Sequence, residues 1–135
     1  MKNKKLTFQC AVYMGEEGVN IYSENTRVIE LLRHGNFLPF IPEWHVEEHQ
    51  ANNAPSLECV FGSQQAIEAR GNGNFFISGK IEELTEAHTI PYFIHYILES
   101  ERAKRGKATI HAAAVSKNGR GILVLGKQGS GKTSI

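Results

Sequence analysis

The sequence contains no aspartate. All fourteen of its acidic residues are glutamate. These 135 residues therefore offer no aspartate that could bind a metal ion or activate an attacking hydroxyl.

Cysteine and long apolar runs are also scarce. The two cysteines, Cys10 and Cys59, are far apart and form neither a C-x-x-C pair nor a disulfide framework, which predicts small buried side chains in a reducing compartment. Gln9 interrupts the first apolar run too early for a signal peptide, and no stretch approaches a transmembrane span. We expect a soluble, cytoplasmic protein.

The charge is nearly balanced. Fifteen basic residues face fourteen acidic ones, for a net charge of +1, so no global field favours nucleic acid or a membrane surface. The basic cluster Arg102, Lys104, Arg105 and Lys107 follows a predicted helix, where cations oppose the negative end of the helix dipole. We predict neither a nucleic-acid nor a membrane partner.

Residues 1–80 have the pattern of a β-rich module with one helix. "LTFQCAVYM" and "VNIYS" predict two strands joined by a turn at Gly15 and Gly18. "ENTRVIELLRHG" predicts a helix with Asn25 or Thr26 as its cap and Gly35 as its stop.

The second half of this module combines a predicted loop with further strands. "NFLPFIPEWHVEEHQANNAPS" has two prolines inside an aromatic stretch and a polar tail, which predicts a loop without regular structure. "LECVFG" and "AIEARGNGNFFISG" then predict strands, with the turn of the second pair at residues 71–74.

Residues 81–106 form a predicted linking helical segment. Its apolar residues recur at helical spacing, Thr89 is a candidate cap, Pro91 suits the first turn, and Gly106 is the stop. From residue 107 the pattern returns to strands, "ATIHAAAV" and "GILVL", separated by "SKNGRG". The order of elements predicts an α/β (α+β) fold.

The chain ends in a phosphate-loop sequence. "GKQGSGKT" satisfies G-x-x-x-x-G-K-[ST] directly after an apolar strand. Gly129 and Gly131 allow backbone N–H groups to turn toward phosphate oxygens, Lys132 would neutralise the β and γ phosphates, and the Thr133 hydroxyl would bind Mg²⁺. The full predicted nucleotide site comprises Gly126, Lys127, Gln128, Gly129, Ser130, Gly131, Lys132, Thr133 and Ser134.

From His111 to the end, "HAAAVSKNGRGILVLGKQGSGKTSI" resembles the start of the catalytic domain of HPr kinase/phosphorylase and similar serine kinases. The resemblance implies a fold related to phosphoenolpyruvate carboxykinase, ATP and Mg²⁺ as cofactors, and a protein serine as phosphoacceptor. Residues 107–135 would then be the start of the kinase domain. His111 lies in the matching strand, either as a catalytic residue or as a buried histidine bonded to backbone.

Only Ser134 and Ile135 follow Thr133, whereas the phosphates are held by the first turn of a helix that needs roughly a dozen residues. We therefore expect an N-terminal fragment of the kinase, inactive alone. Two alternatives stay open: a non-catalytic module whose β-rich part binds a protein partner, and a phosphate-loop ATPase of another lineage.

"HVEEH", from His45 to His49, fits the H-x-x-E-H zinc-peptidase signature. That chemistry needs both histidines on one helix face, and Pro42 before the motif leaves little room for a helix. We predict a solvated polar loop here rather than a zinc site.

Overall fold

A computed structural model describes residues 6–41, 43–110 and 112–125. Eight strands, three α-helices and one 3₁₀ turn (Leu38–Phe40) occupy this part of the chain. In order, the strands and helices are β1 (Thr7–Met14), β2 (Glu17–Ser23), α1 (Arg27–His34), β3 (Trp44–Glu47), β4 (Ser56–Phe61), β5 (Ala66–Ala69), β6 (Asn74–Gly79), α2 (Ile81–Glu86), α3 (Thr89–Lys104), β7 (Ala113–Lys117) and β8 (Arg120–Val124). The fold is mixed α+β.

Six strands form one mixed sheet in the order β3-β1-β2-β4-β6-β5. β1 pairs antiparallel with β2 and β3, and β5 pairs antiparallel with β6. The central pairs β2–β4 and β4–β6 are parallel. Parallel neighbours need a crossover, which α1 and β3 supply between β2 and β4. β7 and β8 form a separate two-stranded sheet.

The predicted first hairpin is confirmed, with one correction to its turn. β1 and β2 pair from Thr7–Ser23 to Met14–Glu17. Gly15 has φ +62°, a left-handed conformation that glycine adopts without steric cost. Gly18, the second predicted turn residue, instead lies within β2 opposite Tyr13, because the chain needs only two residues to reverse direction.

Helix α1 is also confirmed. Val28 and Leu32 are its fully buried residues, four positions apart and therefore on one face. Of the two cap candidates, Asn25 is the one whose side chain acts: its Oδ1 accepts a hydrogen bond of 2.9 Å from the Arg27 N–H. Gly35 ends the helix.

The predicted loop at residues 36–56 is wrong in its middle. β3 pairs with β1 through Val12–Val46 and Tyr13–His45. The Trp44 indole N–H donates to the Leu32 carbonyl at 2.9 Å, and its ring meets Phe37 edge to face. The sequence hid this short edge strand because its alternation spans only four residues between prolines and charges.

The predicted helical segment contains two helices. The break falls at His88, whose φ is +58°. His88 occupies the N-cap position of α3 and Thr89 is its first helical residue, so the prediction that Thr89 caps the helix is wrong. The Thr89 hydroxyl instead donates to the Glu83 carbonyl at 3.2 Å. Pro91 lies in the first turn of α3 as predicted.

One apolar core joins the sheet to α1 and α3. Its fully buried residues include Cys10, Val12, Met14, Val19, Ile21, Leu57, Cys59, Ile77, Ile90, Ile94, Ile97 and Leu98. Burial raises the pKa of the Cys10 thiol to about 11, as expected for an unreactive buried side chain. α3 contacts β1 and β2, and α1 contacts β1 and β3.

A loop covers part of the opposite sheet face. The Asn20 side chain donates to the Ala51 carbonyl at 3.0 Å and accepts from the Ala51 N–H at 2.8 Å. This pair satisfies a buried amide and fixes the loop over the sheet. Among the described helices, none is both long and apolar enough to cross a membrane.

Candidate functional site

The predicted nucleotide site, Gly126 to Ser134, lies outside the described residues, as does His111. The structure does describe the strand that leads to the site. β8 ends at Val124 and pairs antiparallel with β7 from Ala113–Val124 to Lys117–Arg120. Asn118 and Gly119, with φ +53° and +77°, form the turn, as expected for Asn-Gly in a two-residue hairpin. The predicted pair of strands is present, but its bounds differ: β7 begins at Ala113 rather than at residue 108, and residues 116–117 and 120–121, predicted as the connection, belong to the strands.

This hairpin carries apolar side chains on both faces. Val115 and Ile122 form a cross-strand pair on one face, and Ala114 and Leu123 form one on the other. Ile122 is 65% exposed and Leu123 is 59% exposed. Strands that are apolar on both faces are typical of sheets covered by helices on both sides.

The "HVEEH" motif does not lie on a helix. His45 lies in β3, where alternate side chains share a face, rather than on a helix, where residues four apart would meet. Its ring stacks on Tyr13 with centroids 5.0 Å apart, and its Nε2 lies 3.6 Å from Glu47. No group of three or more potential metal ligands occurs within the described ranges. The polar character predicted for this stretch holds, but part of it is strand.

The structure reveals a polar cluster that the sequence analysis missed. At its centre is Glu17, which is 2% exposed at the start of β2. Arg102, Arg105 and Lys107 surround its carboxylate, with nearest distances of 3.4, 3.8 and 3.1 Å. The helix-dipole interpretation of these cations therefore omitted their main partner, which lies about 90 positions earlier in the chain.

Arg102 connects this cluster to the first turn. Its Nη2 donates to the Met14 carbonyl at 3.0 Å and to Glu43 at 2.9 Å. Its Nε is buried without a hydrogen-bond partner among the described residues, although it lies 3.4 Å from Glu17. The guanidinium thus joins the end of α3 to the β1–β2 turn and to the residue before β3.

The electrostatics of Glu17 are set by competing effects. Burial acts to raise the pKa of this carboxyl, but the hydrogen bond from Lys107 and the charges of Lys107 and Arg102 outweigh burial and lower its pKa. The hydrogen bond to Glu17 raises the pKa of Lys107. Glu17 is therefore ionised at neutral pH, and its charge is balanced by its neighbours.

A cavity of about 170 Å³ lies beside the cluster and is lined by Tyr13, Glu17, Asn52, Arg105 and neighbouring residues. Because the Arg102 and Lys107 side chains already contact carboxylates, the cluster holds little uncompensated charge. The arrangement anchors the end of α3 to the sheet. The sequence does contain two short stretches of opposite charge, at Glu16–Glu17 and at residues 102–107. Nothing in the sequence indicates that the fold brings these stretches into contact.

Comparisons with protein-family models, with curated proteins and with solved structures returned no match.

Proposed function

We propose that the chain is the N-terminal part of an ATP-dependent serine kinase of the HPr-kinase-like type. The observation that carries this proposal is the phosphate-loop sequence Gly126–Thr133 placed one residue after the end of β8. A strand must precede a phosphate loop, because the strand fixes the position of the backbone N–H groups that bind the phosphates.

The apolar character of the hairpin supports the proposal. In a kinase domain of this kind, β8 would lie inside a sheet with helices on both faces, and both faces of the hairpin carry apolar side chains. The Asn118–Gly119 turn sets the register of β7 with β8, and the last residue of β8, Val124, lies two positions before the loop in the sequence.

The residue types of the loop fit Mg-ATP. Its backbone N–H groups and the Lys132 ammonium would bind phosphate oxygens, and the Thr133 hydroxyl would bind Mg²⁺. ATP would supply the phosphoryl group. The protein substrate would contribute a serine hydroxyl, and the carboxylate that accepts its proton must be a glutamate or lie in another part of the gene product, since this sequence has no aspartate.

Nucleotide binding by the full gene product tests the proposal. We expect Lys132→Ala to weaken Mg-ATP binding about 10- to 150-fold, because a hydrogen bond from a charged donor to a phosphate is lost. The matched control is Lys127→Ala, which removes a lysine from a position where the pattern accepts any residue. Isothermal titration calorimetry measures both variants. Equal affinity in Lys132→Ala and wild type would refute nucleotide binding at this loop.

The reaction class needs a separate measurement. With ATP labelled at the γ phosphate, a kinase leaves the label on serine of a protein, whereas an ATPase releases it as inorganic phosphate. We expect more labelled phosphoserine in a native lysate supplemented with the full gene product than in the lysate alone, and no such increase with the Lys132→Ala variant. Release of inorganic phosphate alone would favour a phosphate-loop ATPase of another lineage.

A further inference from the structure

β5 ends the six-stranded sheet with an open edge. Among the described residues, only β6 pairs with it. The Arg70 N–H donates to the Asn74 carbonyl at 2.7 Å, and hydrogen-bonded positions alternate along an antiparallel ladder. Ala66, Glu68 and Arg70 therefore direct their N–H and C=O groups toward β6. Ile67 and Ala69 direct theirs outward, where an added strand could pair with them.

An apolar surface lies beside this edge. Ile67 is 58% exposed, and its side chain shares the sheet face of its partner Ile77, on which the helices pack. A groove of about 400 Å³ runs between β5 and α2, lined by Ala66, Ile67, Ser78, Leu84 and their neighbours. Every second side chain of an added strand would face this groove.

The aromatic side chains of α3 extend the same surface. Phe93 meets Phe75 edge to face at 5.9 Å, and it stacks on Tyr96 at 6.2 Å. Phe75 is the cross-strand partner of Ala69. Tyr96 is 61% exposed, so this end of the sheet offers an aromatic surface next to Ala69, the second residue whose N–H and C=O groups point outward.

The charge around the edge is negative. α2 carries Glu82, Glu83 and Glu86 and no basic residue, and Glu83 accepts a hydrogen bond from the Gln65 side chain. Two cations lie nearby: the exposed Lys80 directly precedes α2, and Arg70 lies over the Phe76 ring and contacts both Glu58 and Glu68. A basic segment would complement this surface.

A second copy of the chain is a poorer occupant. Antiparallel pairing of two β5 strands would bring two acidic α2 helices to the same junction, where their charges repel each other. The charge distribution thus favours a basic partner over a second copy of the chain.

We propose that the β5 edge binds an extended segment of a protein partner as a seventh strand, and that this segment alternates apolar and basic residues. The backbone groups of Ile67 and Ala69 supply the ladder, and the groove takes the apolar side chains. The basic side chains lie on the other sheet face, beside Glu68, and the charge of α2 attracts the segment over a longer range. The inference does not rest on nucleotide binding.

A designed peptide tests it. The probe is a capped heptapeptide that alternates lysine and valine, and the control peptide replaces each lysine with glutamate. Amide hydrogen exchange measured by NMR should slow about tenfold or more at Ile67 and Ala69 when the lysine peptide saturates the protein. Glu68 and Arg70, already bonded to β6, should change little. The glutamate peptide should have no effect.

Two variants locate the binding. Ala69→Pro removes one outward N–H that the sheet does not use, so the fold should persist and the protection at Ile67 should disappear. Ala69→Thr is the matched control, because it keeps the N–H and should bind like wild type. Glu82→Gln combined with Glu86→Gln should weaken binding about three- to tenfold at low salt, and it tests the proposal even if the proline variant fails to fold.

Several outcomes would overturn the proposal. Unchanged exchange at Ile67 and Ala69 with millimolar lysine peptide would exclude strand addition at this edge. Equal binding of the glutamate peptide would exclude a basic partner. Protection that grows with protein concentration alone, and is lost in Ala69→Pro, would assign the edge to a second copy of the chain.

Discussion

The six-stranded sheet and the β7–β8 hairpin are both rich in valine, isoleucine and leucine, but they differ in what covers those side chains. In the sheet module, Ile94 and Ile97 are fully buried against the strands. In the hairpin, Ile122 and Leu123 are more than half exposed, and β7 and β8 have each other as their main contacts among the described elements. The first region is stabilised by burial, and the second depends on its turn and its ladder.

The largest expected effect contrasts the two regions directly. Phe37 is fully buried and meets the ring of Trp44 at 4.9 Å. Phe37→Ala should lower the free energy of unfolding by about 3–5 kcal/mol, since it removes a large side chain from a closed core. Leu123→Ala in the hairpin should change it by no more than about 0.5 kcal/mol.

Urea unfolding followed by circular dichroism measures both variants. A loss for Leu123→Ala comparable to that for Phe37→Ala would show that the hairpin packs against the core. That result would remove the contrast between the two regions and weaken the argument that the hairpin belongs to a separate, covered sheet.

The next effect concerns the Glu17 cluster, where the chain leaves α3 toward the hairpin. Glu17→Gln should destabilise the module by about 3 kcal/mol, because it removes the buried carboxylate that Arg102, Arg105 and Lys107 share. Glu16→Gln is the matched control. Glu16 is the exposed neighbour of Glu17 and lies 3.4 Å from Lys107. Because an exposed ion pair contributes less than about 1 kcal/mol to stability, Glu16→Gln should have a much smaller effect.

The stability difference between wild type and Glu17→Gln should depend on pH, because the pKa of Glu17 is lowered in the folded protein. Because the folded-state pKa is below the ordinary value of about 4.5, the unfolded chain binds the proton first as the pH falls. The stabilisation is complete at neutral pH and is lost as the pH falls through the folded-state pKa. Urea midpoints of wild type and Glu17→Gln should therefore differ constantly at pH 6–8 and converge below about pH 4.5. A difference that stays unchanged between pH 6 and pH 3 would mean that Glu17 acts through packing rather than charge.

Local patterns predicted most of the elements. The three hairpins with glycine turns, helix α1 and the strand before the phosphate loop follow from residues close together in the sequence, such as Asn118–Gly119. The break at His88 did not follow, since the apolar spacing continues across it and a left-handed histidine has no strong sequence signal.

Features that depend on contacts between distant parts of the chain could not be predicted from the sequence. The parallel pairing of β2, β4 and β6 depends on which strands meet, and strand propensity does not contain that information. Glu17 looks like one more turn residue until the fold brings Arg102 to it. The open edge of β5 follows from the strand order alone, so neither the anchor nor the proposed docking surface could be predicted.

The smallest expected effect tests whether the hairpin is stabilised locally. Gly119 has φ +77°, and an added Cβ would meet no atom within 4 Å. Gly119→Ala should therefore cost about 1 kcal/mol through backbone strain alone. Gly121→Ala is the control, since its Cβ would also meet open space and its φ lies outside the left-handed range. If the hairpin is independent of the core, its strand amides should exchange about fivefold faster in Gly119→Ala, while the urea midpoint of the sheet module stays unchanged. A shifted midpoint would show that the strain reaches the core, so that the turn, the hairpin and the sheet unfold as one unit.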